Sequence, residues 1–559
     1  GTSGDVTLNS DLLAKQGGTN FTNSLLVGHG TTGTLNNASG NTGVGIAALD
    51  ALTTGDNNVA IGLNSLGVNT TGTENTAIGV SSLAANTSGC YNVAAGRSSL
   101  TVNTTGCGNT AVGMFSVATN TTGAANVGIG RNSLRANTTA SENVAVGFDS
   151  MKANTTGSNN TAIGRCTLQA NTTAVRNTAV GSQALRDNTD GVCNTGMGVC
   201  ALMKNTTGAS NTAVGKSSLL CNTTGNCNVA AGNCALCSNT TANDNVAVGN
   251  LNMLNNTSGP NNTSLGAYSL QANTTGASNV SVGQNSSNSN TTGASNTIVG
   301  AEAFDTNTTG SYNVAIGKLS LTANTTAASN VSVGRKTMFG NTTGANNTAT
   351  GSEALSANTT GASNTAIGKF ALVGNTTGEG NIGIGNYGGE TNTTGSKNIF
   401  IGFATKGSAV NLGCQIVIGM ANGATTGKGA NTGFITPNAG AMYQGNNGTA
   451  WTQTSDRRIK KNIVDNNTGL DKINQIQVRN FEYRTLDEIT DFGEHKESAV
   501  VKKEGVQLGA IAQEIETILP DVVITESTGV KSVDASNLTW YLINAVKELS
   551  AKVKELEKK

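Results

Sequence analysis

The sequence is poor in the residues that build packed globular domains. Of its 559 residues, 4% are aromatic, 12% are charged and only three are proline. A chain of this length usually forms three or four domains, each with a core of large apolar side chains. The composition does not support that expectation, and the 73 glycines indicate a repetitive, fibrous protein instead.

The chain also has no net charge, with 33 basic and 33 acidic residues. A neutral chain with few aromatic residues is not expected to bind nucleic acid. No apolar run is long enough to span a membrane. The charges are unevenly distributed, because 34 of the 66 lie in the last 105 residues. We therefore expect a nearly uncharged rod followed by a small charged domain. Because the sequence begins with Gly, we also expect it to belong to a longer protein.

Histidine is scarce, and this bears on metal binding. The only two are His29 and His495, both far from the clustered cysteines. Within that cluster, only Cys234 and Cys237 have the spacing of a zinc-ligand pair. We therefore expect no metal and no other cofactor. The cluster comprises Cys221, Cys227, Cys234 and Cys237.

Cys90 and Cys107 occupy the same position in neighbouring repeats. If one repeat is one turn of a solenoid, their Cα atoms lie about 5 Å apart, which a disulfide can span. The alternative is that both are unpaired small residues at a variable turn position. The sequence leaves both alternatives open.

A glycine recurs with a strict 17-residue period from Gly28 to Gly419, at 24 positions without insertion or deletion. So regular a period indicates that each repeat is one rung of a stacked structure. We predict a mainly β fold in which these rungs form a parallel β-roll, or β-solenoid, roughly 115 Å long at the usual strand spacing.

One rung illustrates the pattern. Residues Asn75 to Gly79 alternate between small and β-branched side chains, which predicts a short strand with two different faces. Leu83 belongs to a column of large apolar residues that we expect to fill the core. Gly79 and Gly89 are expected at corners with positive φ.

The rung has few apolar atoms, so a single roll would have a thin core. We expect three rolls to associate along the faces that carry the small residues, such as Ala77. The repeat resembles the Asn-x-Ala-Ile-Gly repeats in the heads of trimeric autotransporter adhesins, whose repeats are shorter. That resemblance implies left-handed parallel β-rolls in trimers.

An Asn-Thr-Thr element recurs from Asn69 to Asn392 with the same period as the glycine. It favours ladders in which Asn and Thr side chains satisfy backbone groups from rung to rung. The alternative is glycosylation, because most copies are acceptor sequons and only Asn188, followed by Thr189 and Asp190, breaks the series.

We divide the chain into a lead-in at 1–27, a repeat shaft at 28–420, a Gly/Asn-rich β-tip at 421–454 and a domain at 455–559. The glycine phase is expected to end after Gly419. The tip carries Phe434, Tyr443 and Trp451, which predict burial in a β-structure. Contact with a host receptor or glycan is the alternative role for these aromatic residues.

The C-terminal part of the chain predicts an α+β domain. We expect a short helix near Leu470, a strand near Phe481, a strand at 506–511, a helical turn ending at Pro520, and a hairpin at 522–533. The final helix carries apolar residues at alternating spacings of four and three, which favours a parallel coiled coil of two or three chains. These residues are Leu542, Val546, Leu549, Val553 and Leu556.

The boundary between shaft and domain carries the one group of residues with evident reactivity. Ser455 precedes Lys460 by five positions, with Arg457 and Arg458 between them. A serine hydroxyl becomes nucleophilic when a neutral lysine amine takes its proton. The alternative is that Ser455 caps a helix or turn.

The Ser455–Ile463 motif, the Gly509–Glu514 motif with Pro520, and the final heptads resemble the intramolecular chaperone domain (peptidase S74 family) of phage tail fibres and tailspikes. The resemblance implies that the domain assembles a trimer and then removes itself. Ser455 would be the nucleophile and Lys460 its base, with cleavage between Thr454 and Ser455. Arg457, Arg458 or backbone N–H groups are candidates for stabilising the oxyanion.

These observations favour a structural fibre of a virion, assembled from three copies of the chain, whose only catalysis is a single self-cleavage. The alternative is a cellular surface adhesin that keeps its C-terminal domain as a trimerisation foot. A glycan-cleaving shaft is disfavoured, because such enzymes need paired carboxylates and no acidic pair recurs in one column. A host-surface receptor or glycan stays open as a partner.

Overall fold

The computed structural model describes residues 14–16, 20–28, 34–419, 425–436, 442–444, 457, 460–490, 501, 503–525 and 529–559. The chain divides into two compact units, residues 1–454 and residues 455–559. The first unit is a β-solenoid and the second is a small α+β domain.

The described residues of the first unit form one main sheet of 27 strands. Each strand of the repeat pairs in parallel with the equivalent strand of the next repeat, so that Thr76 lies opposite Val93 and Ala77 opposite Ala94. At the two ends the pairing is antiparallel, through Ala14–Gln16 and Met442–Gln444. One repeat is therefore one turn, and the predicted parallel β-solenoid is confirmed.

The short strand pairs beside the main sheet are Phe21–Thr22 with Ala38–Ser39 and Thr405–Lys406 with Thr425–Thr426. The strands of the main sheet are Ala14–Gln16, Leu25–Val27, Thr42–Val44, Val59–Ile61, Thr76–Ile78, Val93–Ala95, Thr110–Val112, Val127–Ile129, Val144–Val146, Thr161–Ile163, Thr178–Val180, Thr195–Met197, Thr212–Val214, Val229–Ala231, Val246–Val248, Thr263–Leu265, Val280–Val282, Thr297–Val299, Val314–Ile316, Val331–Val333, Thr348–Thr350, Thr365–Ile367, Ile382–Ile384, Ile399–Ile401, Ile416–Gly419, Gly433–Thr436 and Met442–Gln444.

The ladder continues past the predicted end of the repeat. Strand Gly433–Thr436 pairs in parallel with Ile416–Gly419 at the same offset of one repeat, so the phase does not end at Gly419. Thr436 takes the place of the marker glycine, which hid this rung in the sequence. Phe434 is only 6% exposed and joins the shaft core, which contradicts a receptor contact through its side chain. The side chain of Tyr443 and all of Trp451 lie outside the described residues.

The interior of each turn is filled from two columns. The small residue at the centre of the strand, such as Ala77, and the large residue of the next segment, such as Leu83, are fully buried in one cluster. A methyl group added at Gly196, in the small column, would lie 3.4 Å from the Leu185 Cγ. The small residues thus face the roll's own core, and the prediction that rolls associate along these faces is wrong.

Two columns of buried asparagines run along the shaft. The amide Nδ2 of Asn75 donates to Asn58 Oδ1 at 3.1 Å and to the Gly89 carbonyl at 2.9 Å. The Nδ2 of Asn86 donates to Asn69 Oδ1 at 2.7 Å and to the same Gly89 carbonyl at 3.0 Å. The two ladders therefore meet at one carbonyl in each rung, and the predicted Asn ladder is present.

The asparagines of the Asn-Thr-Thr elements form one of these two ladders. Asn86 is fully buried, and its Nδ2, the atom that a glycan would modify, donates both hydrogen bonds described above. The first threonine of the element extends the network outward, because Thr87 Oγ1 donates to the Thr104 carbonyl at 3.1 Å. The folded shaft thus leaves no room for a glycan on Asn86 or on the equivalent buried asparagines.

The corners of the rung are only partly as predicted. Gly79 has φ +134°, and a Cβ there would lie 2.7 Å from the backbone of Gly96. Gly89 is not a left-handed corner; its small size is needed because a Cβ would lie 2.5 Å from both Asn86 Oδ1 and Gly106 O. Non-glycine residues make the other left-handed corners, and Leu83, at φ +50°, donates its N–H to the Ser99 carbonyl at 3.0 Å.

All ten cysteines carry free thiols. Cys90 and Cys107 lie in one column, where the N–H of Cys90 donates to the Cys107 Sγ at 3.1 Å. Burial raises the pKa of the Cys107 thiol. Burial, together with neighbouring Cys234 and Cys221, raises the pKa of Cys237 to about 12, so this thiol is protonated and unreactive near neutral pH.

The described residues of the second unit form three α-helices, which are α1 at Leu470–Ile473, α2 at Ala512–Ile518 and α3 at Ala535–Leu556. Its described strands form two antiparallel pairs, with 3-10 turns at Leu486–Glu488 and Pro520–Val522. The element order follows the sequence prediction, including the final long helix. The strand pairs are Arg479–Phe481 with Gln507–Gly509 and Val523–Thr525 with Lys531–Val533.

We predict that Asn211→Ala weakens the shaft locally by about 3 kcal/mol, since it leaves buried polar groups unpaired. Asn211 Oδ1 accepts from the N–H and the Nδ2 of Asn228, and Asn211 Nδ2 donates to the Gly225 carbonyl. Hydrogen exchange should accelerate in the rungs on either side of residue 211. Thr207→Ala, at an exposed position of the neighbouring segment, is the control. Equal protection in both variants would contradict the structural importance of the ladder.

Candidate functional site at the start of the second unit

The segment that holds the predicted dyad is described only in part. Arg457 and Lys460 are both exposed, and the Lys460 N–H donates to the Arg457 carbonyl at 3.2 Å, which closes a single turn. Thr454, Ser455 and Arg458 lie outside the described residues. The pairing of Ser455 with Lys460 and the position of the scissile bond therefore stay predictions.

The chain that follows this turn is attached to helix α3. Asn544 Nδ2 donates to the Asn466 carbonyl at 2.7 Å and to the Thr468 carbonyl at 3.2 Å. Glu548 accepts from the backbone N–H of Leu470 at 3.1 Å. The residues just after the predicted dyad are thus positioned by the same helix that carries the predicted trimer contacts.

Gly469 allows this close approach. A Cβ at residue 469 would lie 2.3 Å from the Ala545 backbone nitrogen, so α1 could not pack against α3 with any other residue there. Ala545 is itself buried at the contact. This contact joins residues that are far apart along the chain, and no periodic pattern in the sequence indicated it.

The Gly509–Glu514 motif connects a strand to helix α2. Gly509 ends its strand and Glu514 lies in the first turn of α2, where its carboxylate pairs with the Arg479 guanidinium at 3.0 and 3.2 Å. Both side chains are about half exposed. The pair links α2 to the neighbouring strand, and its stabilising effect is small because water screens it.

A small core lies beneath this motif. Ile515, Leu519 and Val522 are its buried members. The Tyr541 hydroxyl, on α3, donates to Asp521 Oδ2 at 2.6 Å, and this hydrogen bond raises the pKa of Tyr541. Helix α3 is therefore attached at its N-terminal half to the core of its own chain.

Another side of helix α3 presents an uncovered apolar stripe. The helix has 22 residues and is capped at its N-terminus by Asp534, whose side chain accepts from the N–H groups of Ser536 and Asn537. The heptad residues are between 44% and 69% exposed within the chain. They are Leu542, Val546, Leu549, Val553 and Leu556. No helix in the described ranges has the length and apolar character needed to cross a bilayer.

A family model described as the chaperone of endosialidase, Peptidase_S74, matches residues 455–524. The match starts at Ser455 and includes the Gly509–Glu514 motif. No curated protein matches the chain. The chain therefore carries a Peptidase_S74 chaperone-of-endosialidase domain, which in the sequence follows a β-solenoid shaft with one repeat per turn. This organisation fits a tail-fibre-like protein.

Proposed function

We propose that this protein is the shaft of a homotrimeric virion fibre, a tail or surface fibre, whose C-terminal domain is a self-removing assembly chaperone. Three chains associate through their α3 helices, and the shaft then folds away from the domain. The domain finally cuts the bond between Thr454 and Ser455. This function rests on the family match together with the uncovered apolar stripe of α3.

The domain's surface supports association with further chains. Leu508 and Trp540 are 76% and 64% exposed, and Val506 is also exposed. A domain whose described core has so few buried side chains gains stability by burying such surface against a partner. Heptad residues on a helix that projects beyond the core fit parallel copies of the same helix.

A chaperone domain that follows the shaft would set the register in which three chains associate. The rungs of the shaft are nearly identical, so three chains could associate in many registers that differ by whole rungs. Distant contacts also form slowly unless a nucleus aligns them. Association of the C-terminal domains would fix one register before the shaft folds.

The proposed cleavage is an acyl transfer at the boundary. Lys460 Nζ, as a neutral amine, takes the proton of Ser455 Oγ, and Oγ forms a bond with the Thr454 carbonyl carbon. The bond from that carbon to the Ser455 nitrogen breaks, and the nitrogen takes the proton from Lys460. Water then hydrolyses the ester, which leaves the Thr454 carboxylate on the shaft and frees residues 455–559.

The reaction depends on trimer assembly in this proposal. Lys460 is exposed in the single chain. Burial disfavours the charged form of an amine, so packing of the assembled chains around the boundary would supply the base. Arg457, Arg458 or backbone N–H groups would stabilise the oxyanion.

The second candidate function is a cellular adhesin that keeps the domain as a permanent trimerisation foot. The exposed heptad residues favour it as strongly as they favour the fibre, and only cleavage separates the two functions. In either case a host-surface receptor or glycan is the expected external partner.

Wild-type protein should yield chains that end at Thr454, and Ser455→Ala and Lys460→Ala should remain at full length. Intact mass measured under denaturing conditions distinguishes the products. Lys461→Ala removes a neighbouring cation and should still be cleaved. Cleavage of Ser455→Ala at the same bond would exclude the proposed dyad, and a full-length wild type would favour the adhesin.

Val546→Glu with Val553→Glu should abolish trimer formation and self-cleavage together, because the introduced carboxylates of all three chains would face one another on the helix axis. Lys547→Glu with Lys554→Glu alters charge on the same helix outside the heptad stripe and should trimerise normally. The mass under native conditions gives the oligomeric state, and the mass under denaturing conditions shows whether the chain has been cleaved. Trimers of the first variant would show that α3 is not the association surface.

A further inference from the structure

The outer face of the shaft's main sheet carries a continuous strip of uncharged side chains, which are nearly all aliphatic in one column and a mixture of Thr, Val and Ile in the other. In each rung the strand residues on either side of the buried central residue point outward, as Thr76 and Ile78 do around Ala77. Ile78 is 44% exposed, and its equivalents in most other rungs are exposed to a similar degree. We define the strip as these two outward columns, from Thr42 and Val44 to Ile416 and Ile418.

The strip contains no charged residue along this whole length. The next column, two positions beyond Ile78, accepts cations readily, including Arg97, Arg131, Arg165 and Lys216. A lysine or arginine is therefore compatible with the folded rung at an outward position nearby. Its absence from the strip needs a reason other than the folding of the single roll.

The strip is also unusual for a parallel sheet. Parallel sheets occur almost entirely with both faces covered, whereas here the roll's core covers only one face. A typical monomer exposes contiguous apolar patches of about 300–600 Å², and half-exposed Val and Ile side chains repeated along the whole shaft exceed that. In its lack of charge, the outer face resembles a buried surface.

We infer that this strip is the surface along which the copies of this chain pack in the assembled fibre, parallel and in register. The inference rests on the proposed homotrimer and locates its shaft interface. It replaces the small-residue face, which lies inside each roll. The strand faces of the three rolls would surround the fibre axis.

A copy of this chain fits the strip better than any other partner. Outward side chains recur along the shaft at one strand spacing, about 4.8 Å, and only a partner with the same repeat stays in contact over the full length. A globular partner would cover a few rungs and leave the rest exposed. The lack of charge excludes a partner that recognises the strip by ion pairs.

The strip carries little information on register, since nearly every rung presents a large aliphatic side chain in the column of Ile78. The few exceptions, Ala95, Ala231 and Thr350, would lie at the same level in all chains when the register is correct. This weak specification agrees with an aligning domain at the shaft end.

Two matched pairs of residues allow a direct test. Ile78 and Val80 are each 44% exposed, and Met197 and Val199 are 44% and 48% exposed, but only the first residue of each pair lies in the strip. Ile78→Lys with Met197→Lys should lower the yield of trimeric shaft by about tenfold or more, because ammonium groups would be buried unpaired. Val80→Lys with Val199→Lys should assemble as the wild type does. Native mass of the cleaved shaft gives the yield, and equal yields for the two variants would overturn the inference.

A photo-crosslinking residue at position 78 or position 80 of the otherwise unchanged chain tests the same interface without a folding defect. Crosslinks from position 78 should join two chains within the same rung, around residues 75–91, and position 80 should give far fewer. Equal crosslinking from both positions, or crosslinks to a different rung, would contradict the inference. A wild-type shaft of monomeric mass would refute the homotrimer itself, whereas a trimer without these crosslinks would refute only the location of its interface.

Discussion

The buried asparagine amides are the interaction on which the shaft depends. Each amide sits in an interior closed to water, so it must find its partners in the rungs above and below it. A rung one residue shorter or longer would displace both asparagine columns and leave buried donors and acceptors unpaired. This accounts for a strict period without insertion, while the outward column beside the strip varies between residues as different as Val80 and Arg97.

The sequence predicted the solenoid because its period, its glycines and its large apolar column are each visible along the chain. It did not reveal which side of the strand faces inward. The alternating pattern shows that Ala77 and Ile78 lie on opposite faces of the strand. Which of the two faces the core depends on how much space Leu83 leaves inside a thin roll. The reason for glycine at position 89 was missed in a similar way. A side chain there would collide with the Gly106 carbonyl of the next rung, whereas the sequence analysis expected a positive φ.

The motifs of the second unit could be found from the sequence, but the contacts between them could not. The Gly509–Glu514 motif and the heptads of α3 are local patterns. The attachment of Asn466, Thr468 and Leu470 to Asn544 and Glu548 joins residues 76 to 78 positions apart and leaves no periodic trace. Through these contacts, helix α3 connects the proposed association surface with the segment that follows Lys460, which gives a physical route from assembly to cleavage. The dyad itself stays a prediction, because Ser455 lies outside the described residues.

Both units leave apolar surface uncovered in the single chain, one along its strands and the other along a helix, and one homotrimeric assembly would cover both. Electron cryo-microscopy of the mature shaft in cross-section tests this account most directly. It predicts three rolls around a three-fold axis, with the Ile78 column at the axis and no density for residues 455–559. A cross-section that contains a single roll, or three rolls with the Ile78 column facing solvent, would contradict it.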